Sequence, residues 1–227
     1  CVSWYENQSA DKCFYKGLRK TSNKALIYGA QLFIWSSGYL HVHVDEQEME
    51  FGILPDKVLV NGSYFLNKKS KVNFQTGPSL RYKGVFQSEM NPSEMKDILV
   101  LLPYWEYEIR NVLTCLKDIS FGRSLNFKFH PVTNVERYRD MIYGKAKVVE
   151  GDMYTHFKRA RMVIGAATGA VVEAASLGIP VINIVNKSEL SFNYLPDYGK
   201  GIIWDSVATD VELLGLIEKF DYALEND

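Results

Sequence analysis

Apolar positions along this chain change period repeatedly, from runs and alternations of strand type to stripes of helical type, and the changes mark a regular strand–helix rhythm. The densest run, Asp97-Ile-Leu-Val-Leu-Leu-Pro, predicts a strand over 97–102 covered on both faces, as in a parallel sheet. A helix over 107–116 follows. The pattern then predicts strands over 125–129 and 146–149, helices over 135–142 and 153–159, a strand over 161–165 and a helix over 170–177. Strands over 180–185 and 201–204 and a helix over 210–220 complete the chain. Alternation at this spacing predicts a Rossmann-like, doubly wound parallel sheet with right-handed crossovers.

The first third has the same rhythm in shorter elements. Residues 2–6 read as a buried strand, and 9–20 as an amphipathic helix with Cys13, Phe14 and Leu18 inward. Strands are predicted over 25–28, 57–60 and 72–76, with a short helix over 45–51 and a stop at Asn61-Gly62. Between them, 31–44 is rich in aromatic residues and reads as a strand or an extended loop, because His41 and His43 alternate with Val42 and Val44. Residues 87–96 carry Ser, Glu, Asn and Pro with few apolar side chains and read as a linker. They divide a partial N-terminal α/β unit, 1–86, from a C-terminal domain, 97–227.

Composition narrows the class. With 227 residues, 47% hydrophobic and 23% charged, the chain is an ordinary globular protein with enough length to bury a core. A net charge of −1 with dispersed lysines argues against binding nucleic acid by broad phosphate neutralisation. Cys1, Cys13 and Cys115 are odd in number and lack metal-ligand spacing, so free thiols in a reducing compartment are expected. No apolar run approaches the length needed to span a bilayer. The abrupt start at Cys1, inside strand-like sequence, is read as the beginning of a piece of a longer polypeptide.

Candidate chemistry concentrates at 165–185, GAATGAVVEAASLGIPVINIV. A strand breaks into Ala166, Ala167, Thr168 and Gly169 before a helix, which places backbone N–H groups and one hydroxyl where an anion is held. Glu173, one helical turn on, has the reach for a ribose. Ligands of open α/β sheets bind beyond the C-terminal strand ends. Two other such ends carry Pro103-Tyr104 and His130-Pro131. Lys128 and His130 stand two apart, so a regular strand leans both to one side and offers a cation and an imidazole to a phosphate. Tyr104 and Trp105 either stack a base or join the core. His41 and His43 are either a metal pair or packing residues, and no third ligand stands near them in the sequence.

Phe129-His130-Pro131 followed by Gly165-Ala-Ala-Thr-Gly and Glu173-Ala-Ala-Ser-Leu-Gly-Ile-Pro-Val resembles the nucleotide-binding half of GT-B glycosyltransferases. The likeness is greatest to bacterial surface-carbohydrate (capsule and lipopolysaccharide) enzymes that use CMP-sugars, the Kdo transferases and sialyltransferases. Trp4-Tyr-Glu-Asn-Gln and Gly77-Pro-Ser-Leu-Arg-Tyr resemble the same group. The resemblance implies a GT-B-like fold whose N-terminal unit serves the acceptor. It implies transfer of a sugar from a nucleotide donor, CMP-sugar favoured, to an oligosaccharide or lipid-linked glycan. No cofactor and no metal are required beyond the donor.

Under that resemblance Lys128, His130, Pro131, Ala167, Thr168, Gly169, Glu173, Arg81 and Tyr104 contact the nucleotide, and His130 also serves catalysis by stabilising the leaving phosphate. A carboxylate acts as base or nucleophile. Glu6, ending a strand of the first unit, is the first candidate and Asp45 the second; each is otherwise a solvated loop or cap residue. Arg81, after a Gly-Pro turn, is a ligand contact or a surface ion-pair partner. Ala167-Thr168 has one hydroxyl where the family's turn commonly has a Ser/Thr pair, which leaves the nucleotide open. UDP-GlcNAc 2-epimerases share a Gly-rich turn, a glutamate and Leu-Gly-x-Pro-Val, and teichoic-acid-type polyol-phosphate transferases have an HP motif; a non-catalytic binding module is a further reading. The implied location is cytoplasmic, with peripheral association at the inner membrane face left open.

Overall fold

The computed structural model describes residues 1–227 except 37, 118, 120, 121, 143–145 and 227. The chain forms two compact units, Cys1–Lys83 and Gly84–Asp227. The polar stretch 87–96 expected to link them lies within the second.

Unit 1 is a four-stranded, all-parallel sheet in the order β1-β2-β3-β4, built from β1 (Val2–Trp4), β2 (Tyr28–Ala30), β3 (Lys57–Val60) and β4 (Phe74–Thr76). Helix α1 (Ser9–Thr21) and the short α2 (Gln47–Glu50) lie between strands. Tyr5, Tyr15, Ile27, Leu54, Val58, Val60 and Val72 form its core.

Two expectations change here. The opening strand is an edge, with Val2 71% and Trp4 51% exposed, rather than a buried strand. In α1 the inward stripe is Asp11, Lys12, Tyr15, Leu18 and Arg19, while Cys13 and Phe14 face out. That stripe is mostly polar and its charges are paired: Lys12 with Glu48, and Arg19 with Asp56 at 3.0 Å and the Leu54 carbonyl at 2.9 Å. Only Tyr15 is fully buried, its hydroxyl 2.8 Å from Ser3 Oγ. Counting apolar residues therefore selects the wrong face. Asp11 fixes the helix start by accepting from the backbone N–H groups of Glu6 and Gln8 at 2.9 and 3.1 Å.

The described residues of 31–44 form no strand; their rings cluster, and a 3-10 turn, Leu40–Val42, closes the segment. Phe33 lies 5.3 Å from Trp4 and 5.9 Å from Trp35, and Trp35 lies 4.8 Å from the His41 ring and 5.6 Å from Tyr39. The turn breaks the period-two relation of His41 and His43, leaving His41 half-buried on Trp35 and His43 exposed.

Helix α3 (Lys83–Gln87) spans the division. Unit 2 is a six-stranded parallel sheet made of β5 (Asp97–Leu102), β6 (Leu125–Phe129), β7 (Lys147–Val148), β8 (Ala160–Gly165), β9 (Val181–Ile184) and β10 (Trp204–Val207). Its order is β10-β9-β8-β5-β6-β7, so the winding reverses between β5 and β8. The helices are α4 (Glu106–Leu116), α5 (Met153–Phe157), α6 (Ala170–Ser176) and α7 (Asp210–Asn226). Residues Val135–Met141 form a 3-10 segment. One core joins Val100, Leu102, Phe127, Ile164, Ile182 and Ile184 of the sheet to Ile109, Val112 and Leu113 of α4 and Leu213, Leu216, Ile217 and Phe220 of α7. The last strand begins at Trp204 rather than Gly201, because Gly199 and Gly201 (φ 77° and 80°) turn the chain before it pairs. Among the described residues no helix is long and apolar enough to cross a membrane, and the three cysteines are free thiols.

Candidate functional site

The reversal at β5/β8 places three strand exits side by side, because β5 pairs with β6 and β8 in register Leu102↔Phe129 and Leu101↔Gly165. Beyond them stand Pro103-Tyr104, His130-Pro131 and the turn Ala166–Gly169. A crevice at such a point is where doubly wound sheets take ligands.

Tyr104 and His130 meet there. Their rings are 5.6 Å apart, both residues are exposed, and the His130 N–H donates to the Leu102 carbonyl at 3.1 Å. His130 Nδ1 accepts from the Val132 N–H at 3.4 Å, which places the proton of the neutral ring on Nε2, ready to donate outward. Pro131 follows in the same exposed turn.

The turn after β8 has a steric reason for its small residues. A Cβ on Gly165 would stand 2.6 Å from Val171 Cγ1, so α6 packs onto β8 only over a glycine. Ala167 is buried and left-handed at φ 41°, a conformation that costs energy in a residue with a Cβ. Gly169, at φ −64°, needs no such freedom, and a Cβ there would meet nothing within 4 Å. Thr168 is half-buried, and its Oγ1 accepts from the Ala170 N–H at 3.5 Å.

Other candidates are placed elsewhere. Glu173, half-buried on α6, accepts a short hydrogen bond from Tyr154 Oη of α5. The Lys128 amine does not join His130; it donates to the Gly151 carbonyl at 2.7 Å before α5. Lys128 lies on the sheet face opposite the buried Phe127 and Phe129, and the strand ends at Phe129, so the chain turns before His130. Trp105 packs on Phe192 at 5.6 Å and on Tyr104 at 4.8 Å.

Glu6, Asp45 and Arg81 belong to unit 1. Glu6 Oε2 accepts from Gln8 Nε2 at 2.8 Å. Asp45 Oδ1 accepts from the Gln47 N–H at 2.9 Å, an Asx turn that leads into α2. The Arg81 guanidinium lies 4.2 Å from the centre of the Phe33 ring and is exposed. Among the described residues no group of three or more His, Cys, Asp or Glu side chains is placed to hold a metal ion.

Two buried polar residues of unit 2 escaped sequence reasoning. Glu108, in the first turn of α4, is fully buried, and neither carboxylate oxygen has a formed hydrogen bond among the described residues. Burial pushes its carboxyl above the usual range, and the adjacent Ser191 hydroxyl offsets only part of this. The cover is the segment after β9: Tyr107 Oη donates to the Leu190 carbonyl at 3.0 Å, and Phe192 sits on Trp105. Asn183 of β9, level with Gly165, is 1% exposed with both side-chain polar atoms unpartnered among the described residues. Its interruption of the apolar run Val181–Ile184 was the available signal.

No protein-family model matches the sequence, and no curated protein matches it. Solved structures do. A UDP-GlcNAc 2-epimerase from Methanocaldococcus jannaschii superposes with a TM-score of 0.60 at 13% identity, over 96% of this chain and 68% of that one. The crystal structure of the Methanocaldococcus jannaschii UDP-GlcNAc 2-epimerase in complex with UDP-GlcNAc and UDP gives 0.55 at 10% identity, over 92% and 72%. The chain has a GT-B-like fold. A variant of the wall teichoic acid polymerase TagF reaches 0.48 at 10% identity over 90% and 61%, too loose a superposition to add to that. In this GT-B-like fold the six-stranded unit is the Rossmann-like half, with its strand exits gathered at the reversal.

Proposed function

We propose that the chain binds a nucleotide sugar at the β5/β8 reversal and serves glycosyl transfer to a glycan. The observation that carries this is the convergence of three strand exits, with His130 against Tyr104 and a strained small-residue turn left open over Gly169. Such a site suits a phosphate: His130 Nε2–H donates, Thr168 contributes a hydroxyl, and Gly169 lets the backbone approach. Pro131 fixes the chain after His130, Tyr104 offers a face to a base, and Ala167 holds the turn.

In transfer, the bond from the anomeric carbon to the phosphate oxygen breaks and one to an acceptor hydroxyl oxygen forms. The leaving phosphate gains charge, which the His130, Thr168 and Gly169 groups stabilise. The acceptor proton goes to a carboxylate, Glu6 first and Asp45 second. Glu173 serves the ribose through the carboxylate that Tyr154 orients, and Lys128 and Arg81 are secondary phosphate contacts in this reading. The donor favoured is a CMP-sugar, the acceptor an oligosaccharide or lipid-linked surface glycan, and the setting the cytoplasm or the inner membrane face.

A second reading, a UDP-sugar 2-epimerase, is favoured by the superposition on two such structures. Calorimetric titration with CMP, CDP, UDP and GDP separates the two. We expect CMP to bind most tightly and His130→Ala to weaken it about tenfold, the loss of one charge-assisted hydrogen bond. Preference for UDP selects the epimerase or a hexose transferase, and no binding by the folded protein overturns both.

A further inference from the structure

We infer that unit 1 carries a saccharide subsite of its own, at the C-terminal edge of its sheet, which takes a sugar ring bearing a carboxylate or phosphate group. The exits of three strands meet there. Gln31, leaving β2, donates its N–H to Leu59 at 2.9 Å, and its carbonyl accepts from Asn61 Nδ2 at 2.9 Å. Tyr82, after β4, accepts the Ile34 N–H on its hydroxyl at 2.8 Å, which brings Arg81 over Phe33. Parallel strands all end on this edge, so side chains from distant parts of the unit share one surface.

What the edge presents is an aromatic layer with one exposed cation. Phe33 and Trp35 are partly open to solvent, and the exposed Arg81 guanidinium rests on Phe33. Planar rings match the C–H face of a pyranose, and a guanidinium matches a carboxylate or phosphate.

A second observation points to a hydroxyl-bearing ligand rather than an apolar one. Asn7, just beyond β1, is 6% exposed and left-handed at φ 56°. Its Nδ2 donates to the His41 carbonyl at 2.8 Å, while Oδ1 is buried without a partner among the described residues. His41 Nε2 is buried without one too, beneath the Trp35 and Tyr39 rings. A purely apolar occupant leaves both unsatisfied; sugar hydroxyls, which donate and accept, complete them. Both atoms are covered, so binding has to uncover them.

The inference rests on the glycosyl-transfer reading only in naming a glycan as the ring's source, and its test needs no nucleotide. Tryptophan fluorescence of the full chain is titrated with trigalacturonate, glucose 6-phosphate and neutral maltotriose. At least one acidic probe should bind about tenfold more tightly than maltotriose, and whichever binds better names the carboxylate or the phosphate. Arg81→Gln, exposed and therefore without consequence for folding, should bring the acidic probe level with maltotriose. Trp35→Ala, checked by circular dichroism, should abolish both. Trp35→Ala should leave nucleotide affinity unchanged.

No saturable response to any probe, or an acidic preference that survives Arg81→Gln, overturns the subsite. Concentration-dependent dimerisation lost in Trp35→Ala overturns it also, by assigning the face to a second copy of the chain. Nucleotide binding without saccharide binding sinks this inference alone; the reverse sinks the nucleotide reading alone.

Discussion

The two sheets are built from the same parts and finish their strand ends differently. Both are wholly parallel, but unit 1 winds in one direction, β1-β2-β3-β4, whereas unit 2 reverses between β5 and β8. Reversal parts two crossovers and opens a crevice at the strand ends. Unit 2 lines that place with Ala166, Ala167, Thr168 and Gly169, whose small side chains lay backbone open beside His130 and Tyr104. Without a reversal, unit 1 covers its strand ends with Phe33, Trp35, Tyr39 and His41, and presents side chains instead. The contrast teaches that a parallel sheet supplies the location and its winding decides how much main chain is laid open there beside the side chains.

The hardest test of the contrast is Gly165→Val. The new side chain meets Val171 at a distance no packed core tolerates, and we expect a loss of about 1–3 kcal/mol or more, seen in thermal melting of unit 2 with unit 1 unaffected. An unchanged melting profile would mean that α6 does not depend on close approach.

A smaller, pH-dependent effect is expected of Glu108→Gln. Burial raises the folded-state pKa of this carboxyl above its ordinary 4.5, so the stability of the natural chain is complete below that value and falls as pH rises through the folded pKa. The substitution removes that loss. Urea unfolding at pH 5 and pH 8 should show the variant gaining on the natural chain at the higher pH, and a constant difference would deny that the carboxyl is buried in its neutral form.

The smallest effect sharpens the assignment of the turn. Gly169 has a φ of −64° and open space at its Cβ position. Gly169→Ala should therefore stabilise by roughly 0.4–1 kcal/mol while weakening nucleotide binding in calorimetry. Gain in stability with unchanged affinity would separate this backbone from the ligand.

Much of unit 2 was legible in the sequence because its central strands are covered on both faces. Ile98 to Leu102 contain no polar residue, and the apolar run alone locates β5; α4 and β6 follow with clear periodicity. The loops converging at β5/β8 were legible for the same reason, since their places follow from strand ends. What escaped depends on partners distant in sequence. Glu108 reads as an ordinary acidic residue in a helix's first turn, and Ser191, which stands beside it in the fold, is distant in sequence. The polar inner stripe of α1 becomes intelligible when Glu48 and Asp56 are seen opposite Lys12 and Arg19. Period-two spacing of His41 and His43 suggested a strand or an extended loop, whereas the segment packs its rings on Trp35 and closes in a 3-10 turn.

The position of β5 also has a consequence for synthesis. It is the first strand of its sheet to leave the ribosome and the one both halves are built upon. One of its flanks is claimed by β6, and β7 then extends that side; the other stays uncovered until Ala160–Gly165 has been made. During that interval a strand with five consecutive apolar residues presents an unpaired ladder of amides to solvent. The nascent chain is therefore most vulnerable to self-association midway through unit 2, and a pause in translation before Gly165 has been made prolongs the exposure.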